Sequence, residues 1–389
     1  MSDFEKISTN WNYPTSIRFG AGRISELASV CKELNFSKPL LITDPGIAKL
    51  PMVEAIIQAT RKEGISTGMF FDIKPNPTGQ NVEDGLKAYR ENGYDGVIAF
   101  GGGSALDAGK AIALVSGQKQ PLWNFEDIGD NWSKADPNGI APIIAVPTTA
   151  GTGSEVGRAS VIVQEETHSK KIIFHPKMLP TVVISDPELT IGLPAGLTAA
   201  TGMDALSHCL EAYCAPGYHP MADGIAVEGI RLIAKWLPVA VKDGKNLQAR
   251  SHMLAAASMG ATAFQKGLGA MHSLAHPLGA IYDAHHGLLN AILMPYVLEF
   301  NRSAIEAKMA LLAAYLNLPN PSFEAIVKLV LNLRKEFNIA SNLSELGIDD
   351  SRADEIAKKA VNDPTAPTNP IPMKEKDMKQ VFMSALVGQ

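Results

Sequence analysis

Between Lys38 and Val146 short apolar runs alternate with stretches whose apolar positions recur every three to four residues. KPLLIT (38–43), STGMFF (66–71), YDGVIAF (94–100) and GIAPIIAV (139–146) read as strands, and Met52–Lys62, Val82–Glu91 and the segment after Ser104 read as helices. Strands that alternate with helices predict a doubly wound parallel sheet, whose ligands sit outside the carboxyl ends of its strands. After ISDPELTIGLP (184–194) the period changes. Long helical patterns over Ala199–Tyr213, Met221–Trp236 and Ala249–Ala263 predict a second half that is all-helical. Asp186-Pro187 and Leu193-Pro194 punctuate the change, because a residue before proline is pushed away from helical conformation. The expected organisation is an α/β domain over 1–190 followed by an all-α domain over 191–389. The stretch Asn362–Pro372, with four prolines in eleven residues, reads as a surface loop before a short last helix.

A chain of 389 residues exceeds what one core usually serves, which agrees with two domains. Apolar residues at 46% and charged residues at 19% fit a globular enzyme and exclude disorder as the main reading. A formal net charge of −5 gives no electrostatic footprint for a nucleic-acid partner. Only Cys31, Cys209 and Cys214 occur, too few and too scattered for a disulfide framework, so a reducing cytoplasm is the expected setting. The opening MSDFEKISTN lacks the basic start and apolar run of an export signal, and no apolar run reaches the ~18 residues of a membrane-crossing helix.

Two segments carry candidate phosphate chemistry. In Ala99-Phe100-Gly101-Gly102-Gly103-Ser104 a strand turns into a helix, where bare backbone N–H groups converge on an anion at the positive helix end. The next strand ends in Pro147-Thr148-Thr149-Ala150-Gly151-Thr152-Gly153-Ser154-Glu155, a glycine- and hydroxyl-rich loop expected at the same sheet edge. Two adjacent cradles suit a pyrophosphate. Asp44, at the end of the first strand, is placed to accept hydrogen bonds from a ribose and to repel a 2′-phosphate, which favours NAD over NADP. Asp44-Pro45-Gly46 also reads as a plain turn. The acid here precedes the glycine loop, so the usual dinucleotide fingerprint is absent.

The second half carries candidate metal chemistry. Asp204 and His208 lie four apart on one helical face, which taken alone is more often a hydrogen-bonded pair than a metal site. The segment 267–287 changes that reading. His272 and His276 form a second such pair, and His285 and His286 follow, so five of nine histidines fall in two segments. Three imidazoles and one carboxylate suit Fe2+ or Zn2+. His168, His175, His219 and His252 read as surface or packing residues, and Cys209 and Cys214 as core thiols. Pro277 disfavours helical geometry at His276 and is expected to turn its ring away from the metal.

GGGSALD (101–107), PTTAGTGSE (147–155), DPELT (186–190), TGMDALSH (201–208) and GLGAMHSLAHPLGAIYDAHHG (267–287) together resemble the iron-containing, metal-dependent alcohol dehydrogenases, and the opening PTSIRFGAG (14–22) extends the likeness over essentially the whole chain. The resemblance implies a dinucleotide-binding α/β domain followed by a helical metal-binding domain. It implies Asp204, His208, His272 and His286 as ligands of Fe2+ or Zn2+, selecting His286 over His285, and His276 as a proton-relay group beside the nicotinamide. For NAD it implies Asp44, Asn76, Gly101, Gly102, Gly103, Ser104, Asp107, Thr148, Thr149, Thr152 and Lys170, with Lys171 one residue away. The activity implied is hydride transfer between NAD and a small primary alcohol or diol, or the reverse reduction of an aldehyde. A cytoplasmic homo-oligomer, dimer or higher, is implied as well.

The rivals are a lyase or cyclase resembling dehydroquinate synthase, a glycerol-dehydrogenase-like enzyme of the same superfamily, and a metal- or nucleotide-binding protein without turnover. The first needs basic residues for an anionic substrate, and 267–287 holds none.

Overall fold

Apolar runs without a polar face need cover on both sides, and the first half of the chain provides it. The computed structural model describes residues 15–388; the decapeptide MSDFEKISTN and Pro14 of PTSIRFGAG lie outside them. The described residues form two compact units, 15–193 and 194–388.

The first unit contains, in chain order, β1 (Ser16–Phe19), α1 (Leu27–Glu33), β2 (Pro39–Ile42), α2 (Pro45–Ala48), α3 (Pro51–Lys62), β3 (Gly68–Phe70), α4 (Gly79–Glu91), β4 (Gly96–Gly101), α5 (Gly103–Val115), β5 (Ile143–Pro147), β6 (Ala159–Gln164), β7 (Ser169–Phe174) and β8 (Val182–Ser185). Six strands form one parallel sheet in the order β1-β8-β5-β4-β2-β3. Its two faces follow the alternation of side chains along a strand. Leu40, Ile42, Val97, Ala99, Ile143 and Ala145 pack with Val82, Leu106 and Ile112 of α4 and α5. Leu41, Ile98, Phe100, Ile144 and Val146 pack with Leu27, Val30, Val53 and Ile57 of α1 and α3. The sheet is therefore doubly wound, with helices on both faces.

Because β5, β4 and β2 are neighbours and parallel, their carboxyl ends bring Thr148, Gly101 and Asp44 to one edge of the sheet. Four strands lie outside the runs read as strands: β8 is a short buried apolar run, VVIS, and the other three have a different cause. β1 is half exposed, and β6 and β7 form an antiparallel hairpin with little buried surface, so none of them shows a continuous apolar run.

The second unit is helical: α6 (Ala195–Cys214), α7 (Pro220–Lys242), α8 (Leu247–Ala263), α9 (Ala270–Tyr282), α10 (His286–Tyr315), α11 (Phe323–Glu336), α12 (Ala353–Val361) and α13 (Glu375–Val387). α6 is buried over most of its length by α7, α8 and α10, so Asp204, His208 and Glu211 are withdrawn from water. No helix among the described residues is long and apolar enough to cross a membrane.

Two expectations fail here. Pro277 does not break the helix at His276, because α9 continues to Tyr282 with the proline inside it. Nor is 362–372 a plain surface loop. The Thr365 and Thr368 hydroxyls donate to the carbonyls of Gly269 and Leu268, and the Asn369 side-chain Oδ1 accepts the Ala270 N–H at 3.1 Å, so the segment clamps the start of α9. Pro364, Pro367 and Pro372 are exposed, whereas Thr365, Ala366 and Asn369 are buried against the helix they hold.

Candidate metal centre and cofactor loops

Three helices of the second unit deliver the predicted ligands. α6 carries Asp204 and His208 one turn apart, α9 carries His272 two residues inside its start, and α10 begins at His286. One ligand atom from each of Asp204, His208 and His272 lies within 4.8 Å of the other two, and all three residues are buried. His286 Nε2 stands 3.5 Å from Asp204 Oδ1. Gly287 makes that approach possible, because a Cβ there would run into the carbonyl oxygen of Ala200 and sit 3.3 Å from Asp204 Cβ.

The donor set fits a divalent cation. Asp204 is 3% exposed, and no lysine or arginine among the described residues pairs with its carboxylate. A buried carboxylate without a cation is strongly unfavourable. The His208 and His272 rings stack with centroids 4.7 Å apart, and His272 and His286 lie 5.2 Å apart. Rings so close in a buried site repel if they are all protonated, whereas neutral rings offer lone pairs to a shared cation.

Glu211, two turns beyond Asp204 on α6, supports this set. Its Oε1 accepts the Met271 N–H at 2.7 Å and its Oε2 lies 2.6 Å from His272 Nδ1. A carboxylate can only accept, so Nδ1 of His272 carries a proton, and in the neutral ring Nε2 is the lone pair. Burial acts against a charged His272 ring, but the Glu211 and Asp204 carboxylates outweigh it and raise the pKa. His276 turns to a different partner. Its Nδ1 is 2.8 Å from Asp363 Oδ2, while Asp363 Oδ1 accepts the N–H and hydroxyl of Thr365. Burial alone would raise the Asp363 pKa, yet His276 and Thr365 hold it below the usual carboxylate range. Asp363 sets the direction of the His276 ring, which nonetheless stays 6.0 Å from the ring of His272 and 5.5 Å from that of His286 and is not turned out of the cluster.

Glu211 and Asp363 escape a search for ligand spacings because each pairs with a histidine from outside the candidate ligand set. Glu211 did leave a signal. It is the one acid in CLEAYC, a stretch otherwise apolar enough to be core. The other histidines have local duties: His175 and His219 cap helical turns, His252 stacks on Trp236 and His168 lies in the exposed hairpin turn. Burial pushes the Cys209 and Cys214 thiols up to about 12, which keeps them inert core groups.

In the first unit the cofactor candidates gather around the carboxyl edge of the sheet. α5 starts behind Gly102 with no side-chain cap, leaving first-turn N–H groups for an anion. A Cβ at Gly103 would stand 2.5 Å from Thr152 Cγ2, and one at Gly102 would stand 3.2 Å from Thr149 Cγ2, so glycine is what lets the two loops interlock. Thr148 N–H donates to the Gly101 carbonyl at 2.9 Å. Ser104 donates to the Pro75 carbonyl, which brings half-buried Asn76 beside the glycine loop.

Asp44 Oδ1 accepts the N–H groups of Gly46 and Ile47 at 2.8 and 3.0 Å, capping α2. The turn reading is therefore correct, and it occupies one carboxylate oxygen while leaving the other. Asp107 is engaged on both: Oδ1 accepts the Ser154 hydroxyl and Oδ2 the Val161 N–H at 2.9 Å, with buried Lys110 3.2 Å from Oδ1. It holds the hydroxyl-rich loop against α5. Lys171 pairs with Glu126 at 2.8 Å, and Lys170, next along β7, projects from the opposite face of the hairpin.

Residues 14–187 match the family model described as iron-containing alcohol dehydrogenase, and residues 198–386 match that of the Fe-containing alcohol dehydrogenase family, C-terminal. The chain is 37% identical to a 4-hydroxybutyrate dehydrogenase of Cupriavidus necator, over 96% of its own length and 99% of that protein's. Its fold resembles the crystal structure of a 1,3-propanediol oxidoreductase with a TM-score of 0.92 at 36% identity, covering 97% of this chain and 100% of that one. A sulfoacetaldehyde reductase from Bifidobacterium kashiwanohense, solved with NAD+, gives a TM-score of 0.88 at 27% identity, covering 98% and 100%.

The Glu211 carboxylate orients His272, and its replacement has a measurable consequence. Glu211→Gln places an N–H2 donor against His272 Nδ1 and removes the acceptor that fixes the proton there, so Zn2+ affinity should fall about 10–100-fold with the fold intact. Competition with a chromophoric chelator measures it. An unchanged affinity would mean that α9 alone orients His272.

Proposed function

The chain belongs to the iron-containing alcohol dehydrogenase family, and from that premise we propose that it moves a hydride between the carbinol carbon of a small primary alcohol or diol and the nicotinamide of NAD. The divalent cation, Fe2+ or Zn2+, supplies Lewis-acid polarisation of the C–O bond, and NAD supplies the hydride acceptor. The observation that carries this reading is the buried Asp204 carboxylate, set among imidazoles and without a lysine or arginine.

Asp204, His208, His272 and His286 are the ligands in this proposal. One carboxylate and three neutral rings leave a dication with a net single positive charge, which favours the alkoxide form of the substrate. Glu211 keeps the His272 lone pair exposed, and Asp363 fixes His276 with its second ring nitrogen available for a proton. His276 then passes the alcohol proton towards solvent. In the first unit Gly101, Gly102, Gly103 and Ser104 bind the pyrophosphate together with Thr148, Thr149 and Thr152. Asn76 and Lys170 flank the cofactor, and Asp107 acts by holding the hydroxyl-rich loop. Asp44 meets the adenosine ribose with the oxygen that its cap leaves over. The family likeness supports a homo-oligomer, dimer or higher, and the sparse cysteines support a cytoplasmic setting.

A panel of short alcohols, diols and aldehydes, assayed with NAD and NADP after reconstitution with Fe2+ or Zn2+, tests the reading. Failure to reduce NAD with any alcohol would overturn it. His276→Ala should lower turnover by about 10²–10⁴-fold while metal content stays stoichiometric. Loss of the metal along with the activity would make His276 a ligand. Asp44→Asn keeps the capping oxygen and removes the charge. It should therefore shift the NADP/NAD ratio of kcat/KM towards NADP by on the order of tenfold, as expected for about 1.4 kcal/mol of relieved repulsion. A ratio unmoved by Asp44→Asn but changed by Asp44→Gly would assign Asp44 to the turn alone.

A further inference from the structure

Asn290 lies one turn beyond His286 on the same face of α10 and is completely buried. Its Nδ2 is 2.9 Å from Asp204 Oδ1, 3.2 Å from His272 Nε2 and 3.2 Å from His286 Nε2. One amide nitrogen thus meets three of the four candidate ligand residues, at the atoms that would face a cation. Its Oδ1 is also buried and accepts no hydrogen bond among the described residues.

The direction of the amide follows from its partners. Asp204 Oδ1 can only accept, and in the neutral ring His272 Nε2 accepts as well, because Glu211 holds the proton on Nδ1. Turning the amide over would set its oxygen against two acceptors, so the N–H2 end must face the site, although this leaves the carbonyl oxygen without a donor. The group then presents partial positive charge to three electron-rich atoms. Two N–H bonds cannot serve three acceptors at full strength, so the arrangement is incompletely satisfied until a cation takes up the ring lone pairs.

We propose that Asn290 is a positioning residue of the metal centre. In the metal-free protein its amide takes the place of the cation and holds Asp204, His272 and His286 in convergence; with the metal bound it retains Asp204 and releases the two imidazoles. The proposal rests on the reading of Asp204, His208, His272 and His286 as ligands. It explains how a buried carboxylate and its imidazoles stay arranged before a metal arrives, which no lysine or arginine does.

The test uses the full chain, stripped with a chelator and titrated with Zn2+ alone, reading zinc affinity by chelator competition and Tm with and without zinc. Asn290→Leu keeps approximate volume and loses the donor. It should weaken zinc about 10–100-fold and lower the metal-free Tm by about 2–4 °C or more. Asn290→Asp puts an oxygen where the donor was. Facing Asp204, that oxygen should lower the metal-free Tm, yet zinc should bind as tightly as in the wild type or more so, and the zinc-induced rise in Tm should exceed the wild-type rise. If Asn290→Leu binds zinc as the wild type does, or if Asn290→Asp weakens zinc in step with it, the side chain only packs and the proposal falls. Should Asn290→Leu fail to fold, the Asn290→Asp comparison decides alone. A wild-type chain that binds no zinc would remove the ligand assignment itself, and this proposal with it.

Discussion

A carboxylate taken out of water must meet positive charge, and the one at Asp204 is met by no lysine or arginine among the described residues. Much of the helical unit is organised around that condition. α6 is buried on nearly every side, so Asp204, His208 and Glu211 must be satisfied within the protein. The two histidines of α9 are each tied by Nδ1 to a different buried acid, Glu211 for His272 and Asp363 for His276. Each acid fixes the tautomer and the direction of one ring. Two rings that look equivalent in sequence, four residues apart, are thereby given different tasks.

The backbone is arranged to the same end. Gly287 lets α10 reach the carbonyl of Ala200, which brings His286 to Asp204. The segment from Asp363 to Ile371 fixes the opening of α9, where residues 268–270 are held by two threonine hydroxyls and an asparagine amide. A one-turn helix opening that frayed would carry His272 with it, so the clamp contributes to the site without touching a ligand atom. The α/β unit solves a different problem by similar means. Its glycine loop is closed against Thr149 and Thr152, and Asp107 with Lys110 anchors the second loop from behind.

The parts of this arrangement visible in the sequence are those with a period or a spacing. Unbroken apolar runs gave β2, β4 and β5, and the i, i+4 pairs gave Asp204 with His208 and His272 with His276. What depends on distant partners was not visible. β1 and the β6–β7 hairpin have too little buried surface to form apolar runs. Asp363 is 87 residues from His276, in a segment whose prolines suggested exposure, and Asn290 was hidden in a helix that begins at a histidine chosen for other reasons. Pro277 lacks a backbone donor and crowds the carbonyl one turn back, a local cost that does not end α9, which runs on to Tyr282. Asp44 shows a milder limit: the turn takes one carboxylate oxygen and leaves the other, so the turn does not decide against a ribose contact.

The central claim is that one cation satisfies the buried Asp204 carboxylate together with three imidazoles. Anomalous diffraction at the zinc edge, from crystals of the zinc-loaded chain, tests it most directly. The expected result is a single peak about 2.0–2.2 Å from one carboxylate oxygen of Asp204 and one ring nitrogen each of His208, His272 and His286. A peak that excludes Asp204, or one lying between His276 and Asp363, would contradict it.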